Sequence, residues 1–388
     1  MNTLNNIDIP TFLSEYWQKK PLLIRNAFQS FISPIDPDDL AGLAMEEDAE
    51  SRLIFENGPN GPWELQHGPF TEEDFNKLPE EKWTLLVQAV DQWVPELADI
   101  VDQFKFIPKW RLDDLMVSFA PKGGSVGPHF DQYDVFLLQA HGQRQWQIGP
   151  KYNENSEFVD GTNLKILSNM DITEEWTLNP GDMLYLPPQY AHNGIALNDC
   201  MTFSIGFRAP SESDILSNLT DHICAELNED ERYSDPDQKD ARSTPAKIDD
   251  QAVDRIQAIL LKHINDRAKL SNWLASYMTE SKYEELQEPL EEELEWSELT
   301  PFIEQAQIIT QNETSRWAYY ESEDIFQLTI NGQLIETAHP NVCHEMAKHL
   351  ANNRHIQATD IMQWLSETQC QHLLLELFNL NHLYFDEE

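Results

Sequence analysis

Basic residues are scarce in this 388-residue chain, where 26 Lys and Arg stand against 68 Asp and Glu for a formal charge of −42. Such a surface repels phosphate backbones, whose neutralisation supplies most non-specific affinity for nucleic acid. DNA and RNA are therefore poor direct partners, while a basic protein or peptide is drawn in by long-range attraction. The acidity also serves solubility. Cysteine is just as sparse. Cys200, Cys224, Cys343 and Cys370 are scattered without a CxxC pair, which excludes a disulfide framework and a zinc knuckle and suits a reducing cytosol. No stretch approaches the ~20 apolar residues needed to span a bilayer. The start, MNTLNNIDIPTFLSEYW, lacks the basic-then-apolar order of a secretory signal. The expectation is a cytoplasmic protein without a membrane partner. Large apolar side chains, by contrast, are plentiful: 11 Trp and 18 Phe are enough to build a sizeable core and exclude wholesale disorder. At roughly 100–200 residues per domain, the length holds two or three domains.

The texture changes along the chain. PTFLSEYWQKKPLLIRNA predicts a short amphipathic helix, a break at Pro21 and a buried strand. In residues 80–104, Leu85, Val87, Val90, Trp93, Val94 and Leu97 recur at helical spacing and predict a helix. From 110 to 210 short β-like runs (DLMVSFA, YDVFLLQA, RQWQIG, DMLYLPP, MTFSIGFRA) are punctuated by Gly, Pro and Asn, the pattern of an antiparallel barrel or sandwich. After Pro210 the pattern turns helical over 211–235. A polar stretch over 228–250 and a second helical segment, VDRIQAILLKHINDRAKLSNWLASYM, follow. Residues 284–298 carry eight acids (Glu284, Glu285, Glu288, Glu291, Glu292, Glu293, Glu295, Glu298) and no base, which marks a boundary. The remainder reads as a small α+β unit with strands DIFQLTING and QLIETA, helices NVCHEMAKHLANN and ATDIMQWLSET, a last helix and LYF.

The chemistry concentrates in GPHFDQYD. His129 and Asp131 lie two apart on a strand-like run and so share a face. His192 follows a PGD turn and the strand MLYLPP. Two histidines and a carboxylate on one face of a small barrel form the facial triad that holds non-haem Fe(II) and leaves coordination positions open for a chelating 2-oxo acid and oxygen. A 2-oxo acid with a distal carboxylate needs a buried cation. Arg144 opens the strand RQWQI, next to the motif strand if 133–140 and 144–149 pair as a hairpin; its planar fork can grip a carboxylate, with Trp146 burying it. Asp114, Met116 and Ser118 share a face by alternation. If that face lines the barrel mouth, Ser118 can support the co-substrate and Asp114 can offer a charge to a basic substrate side chain. Tyr133 continues the alternation of His129 and Asp131 and belongs beside the metal. His344 and His349 imitate a zinc-protease pair but stand five apart instead of four, which turns them away from each other and predicts a solvated helix face. His141 precedes Gly142 in a turn and is read as exposed.

The run LDDLMVSFAPKGGSVGPHFDQYDVFLLQAHGQRQW, then PGDMLYLPPQYAHNGIA and MTFSIGFRAP, resembles the bacterial JmjC-type ribosomal oxygenases. That resemblance implies an α+β chain: a double-stranded β-helix (cupin, JmjC jelly roll) over 1–210, a helical dimerisation region over 211–295 and a winged-helix-like domain over 296–388. It implies a dioxygenase using Fe(II), 2-oxoglutarate and O2 to hydroxylate an arginine β-carbon on large-subunit ribosomal protein sixteen. Carried over by position, it implies iron ligands at His129, Asp131 and His192 and 2-oxoglutarate binding at Arg144, where many JmjC proteins use Lys. An arginine pocket would be lined by Asp114, Met116, Tyr133 and Ser204. Residues 301–388 hold 13 acids and 3 bases, so the winged-helix pattern does not imply DNA binding. Histidine hydroxylation or lysine demethylation on the same chemistry, and a non-catalytic metal-binding cupin, are the competing readings. Asp114 favours a cationic side chain over neutral histidine. The apolar faces of 211–280 (Ile215, Leu216, Leu219, Ile223; Ile256, Ile259, Leu260, Ile264) predict pairing with a second copy in a twofold dimer.

Overall fold

The computed structural model describes residues 4, 7–58, 61–237, 244–283, 286, 289–290, 292–335 and 341–386. The chain enters through α1 (Ile9–Glu15), where the Asp8 carboxylate accepts the Thr11 N–H at 2.9 Å, and β1 (Leu22–Ile24) follows Pro21 as expected. Next come α2 (Pro37–Leu43), β2 (Ser51–Gly58), β3 (Gly61–His67) and α3 (Glu72–Asn76). Residues 80–104 correct the helical expectation. β4 (Trp83–Val87) is a strand, Val90–Gln92 form one 3₁₀ turn, and only α4 (Pro95–Asp102) is α-helical. Every residue of β4 is buried. A strand covered on both faces reads as an unbroken apolar run, which periodicity cannot separate from a helix.

The expected strands of 110–210 are present as β5 (Leu112–Ala120), β6 (Val135–His141), β7 (Arg144–Lys151), β9 (Met183–Leu186) and β11 (Cys200–Phe207), joined by β8 (Glu174–Leu178) and β10 (Tyr190–Ala196). An eight-stranded sheet in the order β1-β9-β6-β11-β5-β4-β2-β3 lies against a three-stranded sheet, β10-β7-β8. This is the double-stranded β-helix of a cupin. β6 and β7 do not form the expected hairpin. β6 pairs with β9 and β11, β7 with β8 and β10, and Gly142, at φ +62°, turns the chain from one sheet to the other. Between the sheets, Val135, Leu137, Leu184 and Leu186 pack against Trp146, Ile148 and Leu178. The alternate residues Phe136, Leu138 and Tyr185 point the other way, into a core shared with Phe12 of α1 and Leu97 of α4.

Beyond Pro210, Ser211 and Asp214 make a capping box for α5 (Glu212–Glu226). The single expected helix over 253–278 is two, α6 (Asp250–Ile264) and α7 (Arg267–Thr279), divided where Asp266 accepts the Lys269 N–H at 3.1 Å. Glu284, Glu285, Glu288 and Glu291 of the acidic run lie outside the described residues. A second core gathers α8 (Trp296–Glu304), β12 (Ile308–Gln311), β13 (Trp317–Glu321), β14 (Phe326–Ile330), β15 (Gln333–Ile335), α9 (Asn341–Asn352), β16 (His355–Gln357), α10 (Ala358–Ile361), α11 (Thr368–Asn379) and β17 (Leu383–Phe385). Of the expected strand QLIETA, residues 336–338 lie outside the described residues. α7 packs on β13 and β14, and Ser271 donates to Gln327 at 2.9 Å. His344 and His349 on α9 are half-buried and not on a solvated face: His344 stacks on Phe326 and His349 lies beside Trp364, because the apolar side of α9 faces the core. Among the described residues, no helix is long and apolar enough to cross a membrane.

Cations fasten the second core to the first. Arg354 donates Nε to Asp99 at 2.8 Å, and Arg316 donates Nη1 and Nη2 to the carbonyls of Asp113 and Leu112. Beneath this junction the buried Asp91 carboxylate accepts the Leu115 N–H at 2.8 Å. Burial first, and the charge of Asp114 second, raise its pKa from 3.8 to about 7. The native state therefore keeps a proton that the unfolded chain has already lost, so this group lowers stability as pH rises from about 4 to about 7. Asp91→Asn retains the acceptor without the charge. Its gain in Tm over the wild type should grow between about pH 5 and about pH 8 in thermal unfolding. A pH-independent difference would show that the carboxylate carries no such penalty.

Candidate metal and co-substrate site

His129 and Asp131 are not on a strand, contrary to the sequence reading. Residues 127–134 form an irregular segment between β5 and β6, and two backbone hydrogen bonds replace the ladder. The His129 N–H donates to the His192 carbonyl at 3.0 Å, and the His192 N–H returns to the His129 carbonyl at 2.8 Å. This isolated bridge sets the segment against β10 and puts the imidazole centroids 4.3 Å apart. Gln189 N–H holds the Asp131 carbonyl at 2.7 Å. One ligand atom each of His129, Asp131 and His192 then lies within 4.8 Å of the other two.

Both rings are fixed by their far nitrogen. Nδ1 of His129 stands 2.8 Å from the Gly127 carbonyl, and Nδ1 of His192 3.0 Å from the Tyr190 carbonyl. A carbonyl partner places the proton on Nδ1 and leaves Nε2 as a lone pair directed inward. Gly127 serves this arrangement directly: it sits at φ +83°, and a Cβ there would stand 2.7 Å from Ile166. Burial, and then the neighbouring His129, lower the His192 pKa from 6.5 to about 4 against the pull of Asp131, so His192 is neutral. Two imidazoles and a carboxylate are the donor set of the facial triad. The donors fit a divalent transition metal with open positions.

These residues open on a cavity of about 340 Å³ between the sheets. Arg144, Ser118, Met116, Tyr133 and Ser204 all line it with the triad. Arg144 is 3% exposed, its guanidinium carbon lies 5.8 Å from the Trp146 ring, and Nε and Nη2 have no hydrogen-bond partner among the described residues. A buried guanidinium aimed into a cavity with orphaned donors fits a ligand carboxylate. It comes from the sheet opposite Ser118, not from a hairpin neighbour. Gly194, paired with Trp146 across the small sheet, keeps the indole in place, since a Cβ there would meet the ring at 2.7 Å. Ser118 is buried and donates to the Thr202 carbonyl at 3.4 Å. Tyr133 is 43% exposed; the charge of Asp131, then burial, hold its phenol protonated far above the usual range.

Asp114 is the departure. It belongs to the same face of β5 as Met116 and Ser118, but it is buried beyond the cavity wall, where Gln88 donates to it at 2.8 Å and the Lys282 ammonium stands 3.8 Å away. No sequence pattern points to Arg52, Gln88 or Lys282. Arg52 lines the cavity from β2 and donates to Gln88 at 3.1 Å, linking the cavity wall to Asp114. The signal for β2 was available in the apolar run Leu53-Ile54-Phe55 before the turn residues Asn57-Gly58-Pro59-Asn60-Gly61.

Comparison with known proteins follows the same division. Residues 99–215 match the JmjC domain, and residues 262–384 match a ROXA-like winged helix. The chain is 34% identical over 377 residues to the ribosomal protein uL16 3-hydroxylase of Escherichia coli, covering 97% of each. A probable ribosomal oxygenase of Haemophilus influenzae is 43% identical over 227 residues, 58% of this chain and 54% of that one. The structure of the Escherichia coli ribosomal oxygenase YcfD in complex with cobalt and 2-oxoglutarate superposes with a TM-score of 0.85 at 33% identity, covering 98% of this chain and 99% of that one.

The site separates two losses. His129→Ala or His192→Ala should abolish metal binding in calorimetry with cobalt, since one of three protein donors is gone. Arg144→Ala should leave metal binding intact and weaken 2-oxoglutarate, as removing one partner of a buried charge pair costs about 3–5 kcal/mol. Unchanged 2-oxoglutarate affinity in that variant would dissociate Arg144 from the co-substrate.

Proposed function

The chain belongs to the JmjC-type ribosomal oxygenases, and from that membership we propose that it hydroxylates the β-carbon of an arginine on the basic large-subunit ribosomal protein uL16. It is a 2-oxoglutarate-dependent dioxygenase with Fe(II) as its metal and O2 as its oxidant. Bound iron and 2-oxoglutarate supply the oxidation: one oxygen atom enters the C–H bond and the other leaves in succinate, with release of carbon dioxide.

This chain's own residues do the rest. His129, Asp131 and His192 would hold the metal. Arg144 takes the distal carboxylate of 2-oxoglutarate, its charge kept from water by Trp146, while Ser118 supports the same ligand from the opposite sheet. The substrate approaches along the face of β5 and β11. Ser118 lies across from Thr202 and Met116 from Ser204, and Asp114 continues the row beside Gly206. From Ser118 to Asp114 that row runs ~13 Å at strand spacing. An arginine laid on it has its β-carbon near the metal and its guanidinium towards Asp114, with Tyr133 against the chain between. The observation that carries the reading is the orphaned, buried Arg144 guanidinium sharing one cavity with the triad. A ribosomal substrate assigns the work to the cytoplasm, without direct contact to nucleic acid.

For the assembly, we infer a homodimer through the helical region 211–295. No residue of α5 or α6 is buried, and Leu216, Ile256, Ile259, Leu260 and Ile264 are exposed. A second copy laid on the same faces would cover them in a twofold contact.

Incubation with recombinant uL16, iron and 2-oxoglutarate should add one oxygen atom to an arginine, located by fragmentation mass spectrometry. Asp114→Asn should lose most of that product. Modification of a histidine instead, or none, would overturn the assignment. Turnover should fall as added salt shortens the Debye length from ~10 Å towards ~3 Å. By light scattering the wild type should be dimeric and Ile259→Asp monomeric; a monomeric wild type would end the dimer proposal.

A further inference from the structure

Three carboxylates and three cations meet at the start of β5. Arg316 acts on Asp91, Asp113 and Asp114, Lys282 on Asp113 and Asp114, and Arg208 on Asp113. Two of the cations are fixed in place. Arg208 donates Nε to Asp113 at 3.0 Å, Nη1 to the carbonyls of Tyr277 and Met278 at 3.4 and 3.1 Å, and Nη2 to that of Glu280 at 2.8 Å. Arg316 is bound to the carbonyls of Leu112 and Asp113. Lys282 differs from both. Its side chain is 43% exposed, it pairs with Asp113, and it stands 3.8 Å from Asp114.

The position of Lys282 is as telling as its exposure. It borders an open cleft with Asp113, Phe207 and Tyr133, and Tyr133 also lines the metal cavity, so the two spaces adjoin at that ring. Asp114, which the arginine of the substrate must reach, is 5% exposed; on one side it is held by Gln88, on another it abuts Gly206, and Lys282 stands on a third. A cation arriving past Tyr133 meets Lys282 first.

We propose that Lys282 is a resident stand-in for the substrate, its ammonium occupying the place of the incoming guanidinium beside Asp113 and Asp114, so that substrate binding is an exchange of one cation for another. This rests on the arginine hydroxylase reading above. The exchange keeps the local charge constant beside two largely buried carboxylates, while Asp113 keeps its bond from Arg208 and Asp114 its bond from Gln88. It also sets a threshold. An entering lysine replaces like with like and gains nothing. An entering guanidinium brings a planar fork that can donate to both carboxylates at once, which a point-charge ammonium does less well. Arginine therefore clears a barrier that the protein's own lysine erects against its chemical competitor.

The test is equilibrium binding to the protein loaded with cobalt and 2-oxoglutarate. Three uL16 peptides are compared, carrying arginine, lysine or methionine at the hydroxylated position. Lys282→Met should tighten the arginine and lysine peptides by a common factor of about five, the factor by which a pair of ordinary surface strength holds a site closed. The methionine peptide, which cannot expel an ammonium, should bind wild type and variant alike. Lys282→Arg, a stronger resident, should weaken the arginine peptide. Unchanged or weaker arginine-peptide binding in Lys282→Met would mean that Lys282 is an ordinary structural ion pair. Equal tightening of the methionine peptide would reduce the effect to net charge; either result overturns the proposal. Failure of the hydroxylase reading itself shows separately, as wild-type protein that leaves the arginine peptide unmodified when incubated with iron, 2-oxoglutarate and O2.

Discussion

Two reciprocal backbone hydrogen bonds between His129 and His192 hold the centre of this molecule together. The segment carrying His129 and Asp131 leaves the sheet before it reaches the metal position, so no ladder of strand pairing orients it. The bridge does, and the distribution of the other groups follows from it. His192, Arg144 and Trp146 belong to the small sheet; Ser118, Met116 and Ser204 belong to the large one. The buried guanidinium of Arg144 and the row from Ser118 to Met116 thus stand on opposite walls of the cavity. The apolar layer of Val135, Leu137, Ile148 and Leu178 fixes the spacing of those walls. Packing between the sheets sets the width of the cavity.

The few basic residues are placed with equal economy. Of the three in 301–388, Arg316 and Arg354 reach into the catalytic domain, and Lys348 pairs with Glu321 and Glu345 on its own helix and hairpin. All three are thus taken up in pairs. The acidic remainder of the surface is free to attract a basic protein.

The sequence was most legible where chemistry and short-range pattern coincide. That His129, Asp131 and His192 come together could be read because such donors stand near turn signals such as Pro180-Gly181-Asp182. Arg144 could be read because a buried base opening a strand is rare enough to need a reason. What could not be read depends on contacts distant in sequence. β4 looked helical because burial on both faces erases the period of two. β6 and β7 looked like a hairpin because the turn between them is short, whereas a jelly roll sends consecutive strands to different sheets. Asp114 was placed on the correct face of β5, yet its cover comes from Lys282, 168 residues later, where no local pattern points back to it.

The fastening by Arg208, Arg316 and Arg354 has a consequence for the integrity of the whole molecule. Each reaches an acceptor far away in sequence, so the catalytic unit and the carboxy-terminal unit cohere through space as well as along the chain. The polar connection between α5 and α6 is then redundant as a tether. A protease nick within it would leave two fragments that travel together as one particle, and a foreign segment could be spliced in at that point without parting the catalytic cavity from the domain that braces it.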